Sequence, residues 1–224
     1  MYVYAFLNHP ANELKLPPGI EGNLQIIETD KIAAVAEAEL ISLEEIEKDD
    51  KHLMQAILIH DRILCELFNQ MSILPLRFGT IFRSREDLVA HLNRRQSEYL
   101  EKLQQFEGKA EYLLKVVPLD APVPSPDKEA RGKSYLLAKK KRYQLVQTFQ
   151  EQQSREWAAI KEAIANTYVN ATIIDESQGT TYRIYLLVSK TEESILLENL
   201  ERWQQDFSTW QLQLTEPLPP YHFV

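Results

Sequence analysis

The sequence predicts an α+β chain in two domains. Three observations lead there. From Lys109 onward the pattern reads strand, helix, strand, strand, helix, strand, which is the ferredoxin-like split βαβ order. Before that point it reads strands followed by helices, with no repeat of the solenoid kind. Gly108 sits where an amphipathic helix should end, and this sets the boundary near Glu107–Gly108. Residues 1–107 are therefore expected to form an N-terminal α+β domain. Residues 108–224 are expected to form a ferredoxin-like βαββαβ domain with an extended, Pro-rich C-terminal tail.

Taken in order, Tyr2–Leu7 alternates loosely and is rich in aromatics and Val, so it reads as a strand. Asn8–Gly22 holds three prolines and two glycines and reads as a loop. Asn23–Thr29 and Lys31–Ala38 read as two strands about a turn at Thr29–Asp30. Ser42 with Glu45 has capping-box spacing for a short helical turn. Asp49 or Asp50 caps a longer helix, on which Leu53, Ile57, His60, Leu64, Leu67 and Met71 recur at three- and four-residue steps. Met54, Leu58 and Phe68 are expected to widen that apolar face. Pro75 forbids helix, so this helix stops near Ser72.

Leu74–Phe82, LPLRFGTIF, is then a short strand or extended link. Leu76, Phe78 and Ile81 are expected to be buried, with the permanently charged Arg77 among them needing a carboxylate, carbonyls or solvent. Gly79 allows a backbone geometry or a close approach that a side chain would block. Ser84 with Asp87 caps a second helix, with Leu88, Leu92, Tyr99, Leu103 and Phe106 on its apolar stripe.

Ala110–Val117 is strand-like, and Pro118, Pro122, Pro124 and Pro126 make a stiff link. A long helix runs from about Glu129 to Ala165, with Leu145, Phe149, Trp157, Ile160 and Ile164 on one face of its second half. Tyr168–Ile174 and Thr181–Ser189 form a hairpin about Gln178–Gly179. Ser189 caps a helix with Leu196, Leu200, Trp203 and Phe207 in register, and Trp210–Leu214 is the last strand. The tail Glu216–Val224, EPLPPYHFV, has three prolines and too many apolar groups for a free end. It is expected to pack onto the second domain through Tyr221 and Phe223, or else to offer an extended strip to another protein.

Composition narrows the function classes. A chain of 224 residues with 44% hydrophobic content can fill a core, and no apolar run approaches the roughly 18 residues of a membrane span. MYVYAFLNHP carries no basic region or cleavage pattern, so no signal peptide is expected. The single Cys65 excludes an intrachain disulfide framework and fits a reducing cytoplasm. A net charge of −8 disfavours a duplex-DNA or anionic-membrane binder. The histidines, His9, His52, His60, His91 and His222, are scattered, with no HExxH, CxxC, phosphate loop or GxSxG. His60 and Asp61 are sequence neighbours and point about 100° apart on a helix, so they form no dyad. His60 reads as a satisfied, partly buried histidine and Cys65 as a small core residue. Neither a catalytic residue, a metal site nor a cofactor is expected. An RNA-binding sheet is the alternative, with Tyr112, Tyr182 and Tyr185 available but no RNP1-like string. Lys139–Arg142 is the one basic cluster, a solvated face or a meeting point for an acidic partner.

Four segments carry a resemblance. LPLRFGTIF resembles the most recognisable motif of the gas vesicle protein F/L family (GvpF/GvpL). YVYAFL at Tyr2–Leu7 resembles the family's opening strand, and GKSYLLAKKK at Gly132–Lys141 resembles its G-K/R-x-Y-L followed by a basic run. LTEPLPPYHFV at Leu214–Val224 resembles its ending, T-G-P-W-P-P-Y-x-F, with Glu216 in place of Gly and Leu218 in place of Trp. The matches run from end to end in the right order and lean to the F branch. The resemblance implies a minor, non-catalytic part of the gas vesicle, without a cofactor. Its partners would be the small hydrophobic shell protein A or other accessory proteins, and it would act at the vesicle in the cytoplasm. It also points to structural positions. These are Leu74, Pro75, Leu76, Arg77, Phe78 and Gly79 at a domain junction, Gly132 and Tyr135 on the long helix, and Pro219, Pro220, Tyr221 and Phe223 in the tail.

Overall fold

The computed structural model describes residues 1–9, 14–38, 43–46, 48–123, 132–174 and 181–224. The expected cap at Ser42, the turn at Gln178–Gly179, Pro124, Pro126 and the helix start at Glu129 lie outside the described residues. The chain is α+β with two four-stranded sheets. It divides into two compact units, one of Met1–Glu111 with Pro217–Val224 and one of Tyr112–Glu216.

In the first unit, β1 (Tyr2–Asn8), β2 (Leu24–Glu28), β3 (Ile32–Glu37) and β4 (Ile73–Pro75) form a sheet in the order β2-β3-β1-β4. Its neighbours are antiparallel, with Phe6 opposite Ala34 on one side and Leu74 on the other. β1 is central, and six of its seven residues are buried because the sheet is covered on both faces. The helices are α1 (Leu43–Ile46), α2 (Asp50–Phe68), α3 (Arg85–Arg94) and α4 (Gln96–Phe106). The Asp49 carboxylate accepts the Lys51 N–H and opens α2, as its spacing predicts. The buried face of α2 is Ala56, His60, Ile63, Leu64, Leu67 and Phe68. Met54 and Leu58 do not widen it; they are 59% and 62% exposed. The expected single helix after Ser84 is two. Arg95 leaves helical geometry at φ −107°, ψ 17°, so Leu88 and Leu92 on α3 and Tyr99, Leu103 and Phe106 on α4 are all buried. Gly108, at φ 67°, follows α4 and reverses the chain.

β5 (Lys109–Pro118) starts in the first unit and passes into the second at Tyr112; the second unit continues with α5 (Lys133–Thr167), β6 (Thr172–Ile174), β7 (Tyr182–Ser189), α6 (Glu193–Asp206) and β8 (Trp210–Leu214). The strand order β6-β7-β5-β8 is that of the split βαβ arrangement. The Ser189 hydroxyl accepts the Thr191 N–H and opens a single 3-10 turn, Lys190–Glu192, ahead of α6. Leu114, Val116, Ile160, Ile164, Ile184, Leu186, Leu196 and Trp203 make the core.

Candidate functional site

Two polar networks hang from β1. Tyr2 and Tyr4 both face His60 of α2 across a register shift of β1 between Val3 and Ala5, and their rings meet edge to face at 4.8 Å. Both are buried. The Tyr2 hydroxyl lies 2.8 Å from Nδ1 of His60, and Nε2 of His60 lies 3.0 Å from the carbonyl of Leu76. A carbonyl only accepts, so Nε2 carries the proton and Nδ1 accepts from Tyr2. The Tyr2 oxygen in turn accepts the Gly79 N–H at 3.3 Å. Burial pushes the His60 pKa down and the Tyr2 pKa up. The neutral ring that results is what this network requires.

The network explains the signature LPLRFGTIF. Leu74 and Pro75 are buried in β4, and Leu76 donates its N–H to the Tyr4 carbonyl at 2.8 Å. Phe78 is half-buried, with its ring edge-on to Tyr2 at 6.0 Å and His60 at 5.6 Å. Gly79 has φ 86°, a left-handed geometry that a side chain would strain. The chain beyond it follows β1, with Val3 N–H on the Thr80 carbonyl at 3.0 Å and Phe82 N–H on the Met1 carbonyl at 2.9 Å. The signature lies within the first unit, clamped to β1 and α2. Of the three ways open to Arg77, the structure shows solvent: it is exposed, in the turn in which its carbonyl accepts from Thr80 N–H at 3.2 Å and Thr80 Oγ1 at 2.7 Å. Leu76 and Phe78 are only half-buried, and the expected burial of Ile81 fails. Ile81 is 51% exposed, since its backbone, not its side chain, makes the bridge to Tyr2.

Next to this network, the Tyr4 hydroxyl donates to Glu37 Oε2 at 2.5 Å. The same carboxylate, fully buried, accepts the N–H groups of Ile20 at 3.0 Å, Glu21 at 2.9 Å, and Gly22. Burial alone would raise its pKa, but these four donors outweigh it and hold the carboxyl below its usual range. A Cβ on Gly19 would sit 2.6 Å from that carboxylate, so the glycine is required by close approach. Sequence reading missed Glu37 and Tyr4. The available signal was an acidic residue closing the apolar run IAAVAE beside the turn-rich PPGIEGN.

The tail groups with the first unit, held by Asp61 and by Glu111, the latter a residue that the sequence assigns to the start of the second domain. Leu218 exchanges both backbone hydrogen bonds with Glu111, at 2.8 and 2.9 Å. The fully buried Glu111 carboxylate binds His222 twice, through its N–H and through Nδ1, both at 2.8 Å. Burial raises the Glu111 pKa in spite of these bonds. The Tyr221 hydroxyl donates to Asp61 Oδ1 at 2.5 Å and lies 3.9 Å from Cys65 Sγ. Pro219 and Pro220 are buried and Phe223 is half-buried. The reason is electrostatic: a buried Glu111 needs donors, and the tail supplies them.

In the second unit, Gly132 precedes α5 with φ 62°, and a Cβ there would meet nothing within 4 Å, so the backbone angle is what needs glycine. Tyr135 is 47% exposed, and every residue of Gly132–Leu145 is exposed. The RNA-binding alternative loses its platform. Tyr112 and Tyr185 are buried, and Tyr182 stacks on Trp157 at 4.0 Å.

Among the described residues, no group of three His, Cys, Asp or Glu side chains is placed to hold a metal ion, and no helix is long and apolar enough to cross a membrane. A cavity of about 390 Å³ in the first unit is lined by Ile20, Glu21, Glu45, Ile46, His52 and Ala56, among others. Its one histidine, His52, is exposed and lies 3.4 Å from Asp49 on the same helix cap.

Comparison with known proteins agrees from end to end. A family model described as gas vesicle synthesis protein GvpL/GvpF matches residues 1–224. A "Gas vesicle protein F" from Streptomyces sp. (strain CB03234) is 25% identical over 182 residues, covering 75% of this chain and 76% of that one. The crystal structure of GvpF from Anabaena sp. PCC7120 superposes with a TM-score of 0.69 at 16% identity, over 99% of this chain and 94% of that one. GvpF from Microcystis aeruginosa gives 0.66 at 15% identity, over 99% and 97%.

Proposed function

Because the chain belongs to the gas vesicle synthesis protein GvpL/GvpF family over residues 1–224, we propose that it is a minor, non-catalytic assembly or structural protein of the gas vesicle. It binds the small hydrophobic shell protein, or other accessory proteins of the vesicle, while the shell is being formed. Its place is at the vesicle, in the cytoplasm. The observation that carries this reading is the family match along the full chain, supported by the same fold in two GvpF structures.

The physical logic is simple. Free subunits with large apolar surfaces aggregate. A partner with a net charge of −8 keeps such a complex in solution until the subunits join the shell. The positions Leu74 to Gly79, Gly132, Tyr135 and Pro219 to Phe223 serve this role indirectly, by fixing the scaffold and presenting its helix.

Two experiments test it. Shell protein produced together with this chain should stay in the soluble fraction and be captured with it. Deleting the gene should change the number or shape of the vesicles. Normal vesicles in the deletion strain, together with no capture, would end this reading.

A further inference from the structure

An open sheet has two outer strands, and each presents a row of backbone N–H and C=O groups to any strand that comes alongside. In the second unit the outer strands are β6 and β8. β6 is short, at three residues. β8 has five, and from Trp210 to Thr215 it holds no charged residue and no proline, the side chains that usually deter pairing. Its own side chains are committed: Trp210 and Leu212 are buried, and Gln211 and Gln213 lie in solvent. What β8 offers sideways is backbone alone.

The two sides of β8 follow from its register. Thr209 and Thr215 face β5, the first accepting the Leu119 N–H at 3.0 Å and the second donating its N–H to the Leu113 carbonyl at 3.0 Å. Alternation then turns the backbone groups of Trp210, Leu212 and Leu214 away from β5. On that open side stands Gln204, half-buried on α6. Its Oε1 accepts the Leu212 N–H at 2.8 Å, and its Nε2 donates to the Trp210 carbonyl at 2.9 Å. One side-chain amide takes both a donor and an acceptor that an adjoining strand would take. The Leu212 carbonyl and both backbone groups of Leu214 have no partner among the described residues.

We propose that Gln204 guards the outer edge of β8, and that the strand it keeps out is β8 of a second copy. The occupant follows from the strand itself. A twofold axis at Leu212 pairs β8 antiparallel with its copy. The Leu212 N–H then donates to the Leu212 carbonyl of the other copy, and the Leu214 N–H to its Trp210 carbonyl, each bond made twice by symmetry. These bonds use both groups that Gln204 holds, so the guard and the second strand exclude each other. With no charge on Trp210–Thr215, like strands meet without repulsion between facing side chains. The axis consumes both copies of the edge, so the pairing stops at two chains.

Sedimentation velocity of the full chain tests this. Wild type should be a monomer at about 200 μM protein, because the amide closes the edge. Gln204→Ala should dimerise, as should Gln204→Met, which keeps the length of the side chain without its amide. Each should have a Kd at least about tenfold tighter than wild type, with unchanged circular dichroism. The Leu214 N–H should exchange at least about tenfold more slowly in those dimers than in wild type, whereas loss of a residue that only braced β8 would speed it. Leu214→Pro removes an outward N–H and leaves the β5 ladder intact, so Gln204→Met/Leu214→Pro should return to a monomer. Monomeric Gln204→Ala and Gln204→Met overturn the inference. So does a wild type that dimerises as tightly as they do, a dimer that survives Leu214→Pro, or open-ended aggregates in place of a dimer.

Discussion

The surroundings of β1 and the exposed half of α5 both lie in family-like sequence, yet they use it in opposite ways. Around β1, polar atoms turn inward and meet partners: Tyr2 with His60 and Gly79, Tyr4 with Glu37 and the loop that follows Pro18. On α5, Leu136, Tyr143 and a run of cations face outward with no carboxylate to meet them among the described residues of their own chain. The first region specifies the fold, and the second is left exposed along its length. A recognisable motif is therefore not by itself a binding site; what separates the two is whether its polar and apolar groups are already satisfied.

Substitutions should separate the regions sharply. Glu37→Ala leaves three amides and a tyrosine hydroxyl without their acceptor and should cost about 3–5 kcal/mol in urea unfolding. A loss below about 1 kcal/mol would show that water replaces the carboxylate. Tyr2→Phe removes the hydroxyl between His60 and Gly79 and should cost about 1–3 kcal/mol. Gly79→Ala, at φ 86°, should cost about 1–2 kcal/mol through backbone strain alone. An unchanged melt in either variant would remove LPLRFGTIF from its clamping role.

Acid should loosen the first region in two stages. His60 has a folded pKa below its unfolded one, so its contribution is complete above the unfolded value of about 6.5 and is lost as pH falls through the folded value. Glu37 is likewise depressed, so its contribution is complete above about 4.3 and is lost as pH falls through its own folded value. In His60→Gln the loss beginning near pH 6.5 should shrink, with His91, whose pKa burial also depresses, supplying the remainder, while the more acidic one is unchanged. A pH profile identical to wild type would mean that His60 titrates normally.

The smallest effects belong to exposed charges. Arg77→Ala should change stability by less than about 0.5 kcal/mol, as should Lys140→Glu/Arg142→Glu on α5. A loss of several kcal/mol at Arg77 would reveal a buried partner for it and blur the distinction between the regions.

Much of this was legible in the sequence. Period-two and period-3.6 patterns place the strands and helices, and βαββαβ order follows from them. Asp49, Ser84 and Ser189 mark boundaries through hydrogen bonds local to the chain, and Gly108 does so through its positive φ. What was not legible depends on distant partners. Arg77 reads as needing a carboxylate, carbonyls or solvent, and only the turn closed by Thr80 shows that it takes solvent. The tail reads as a cover for the second domain, but Glu111 and Asp61 bind His222 and Tyr221 within the first unit. Met54 and Leu58 fit the helical rhythm and still lie outside it, since periodicity gives a face and not what covers it. Glu37 is one acidic residue among 33, and only the fold shows the three amides and the tyrosine gathered on it.

Amide hydrogen exchange of the full chain tests the contrast most directly. Leu76 and Gly79 should exchange slowly, because the partners of their N–H groups are internal. Residues 133–145, exposed along the whole half-helix, should exchange much faster. Fast exchange at Leu76 and Gly79, or equal protection across residues 133–145, would contradict the division between an inward-facing signature and an outward-facing helix.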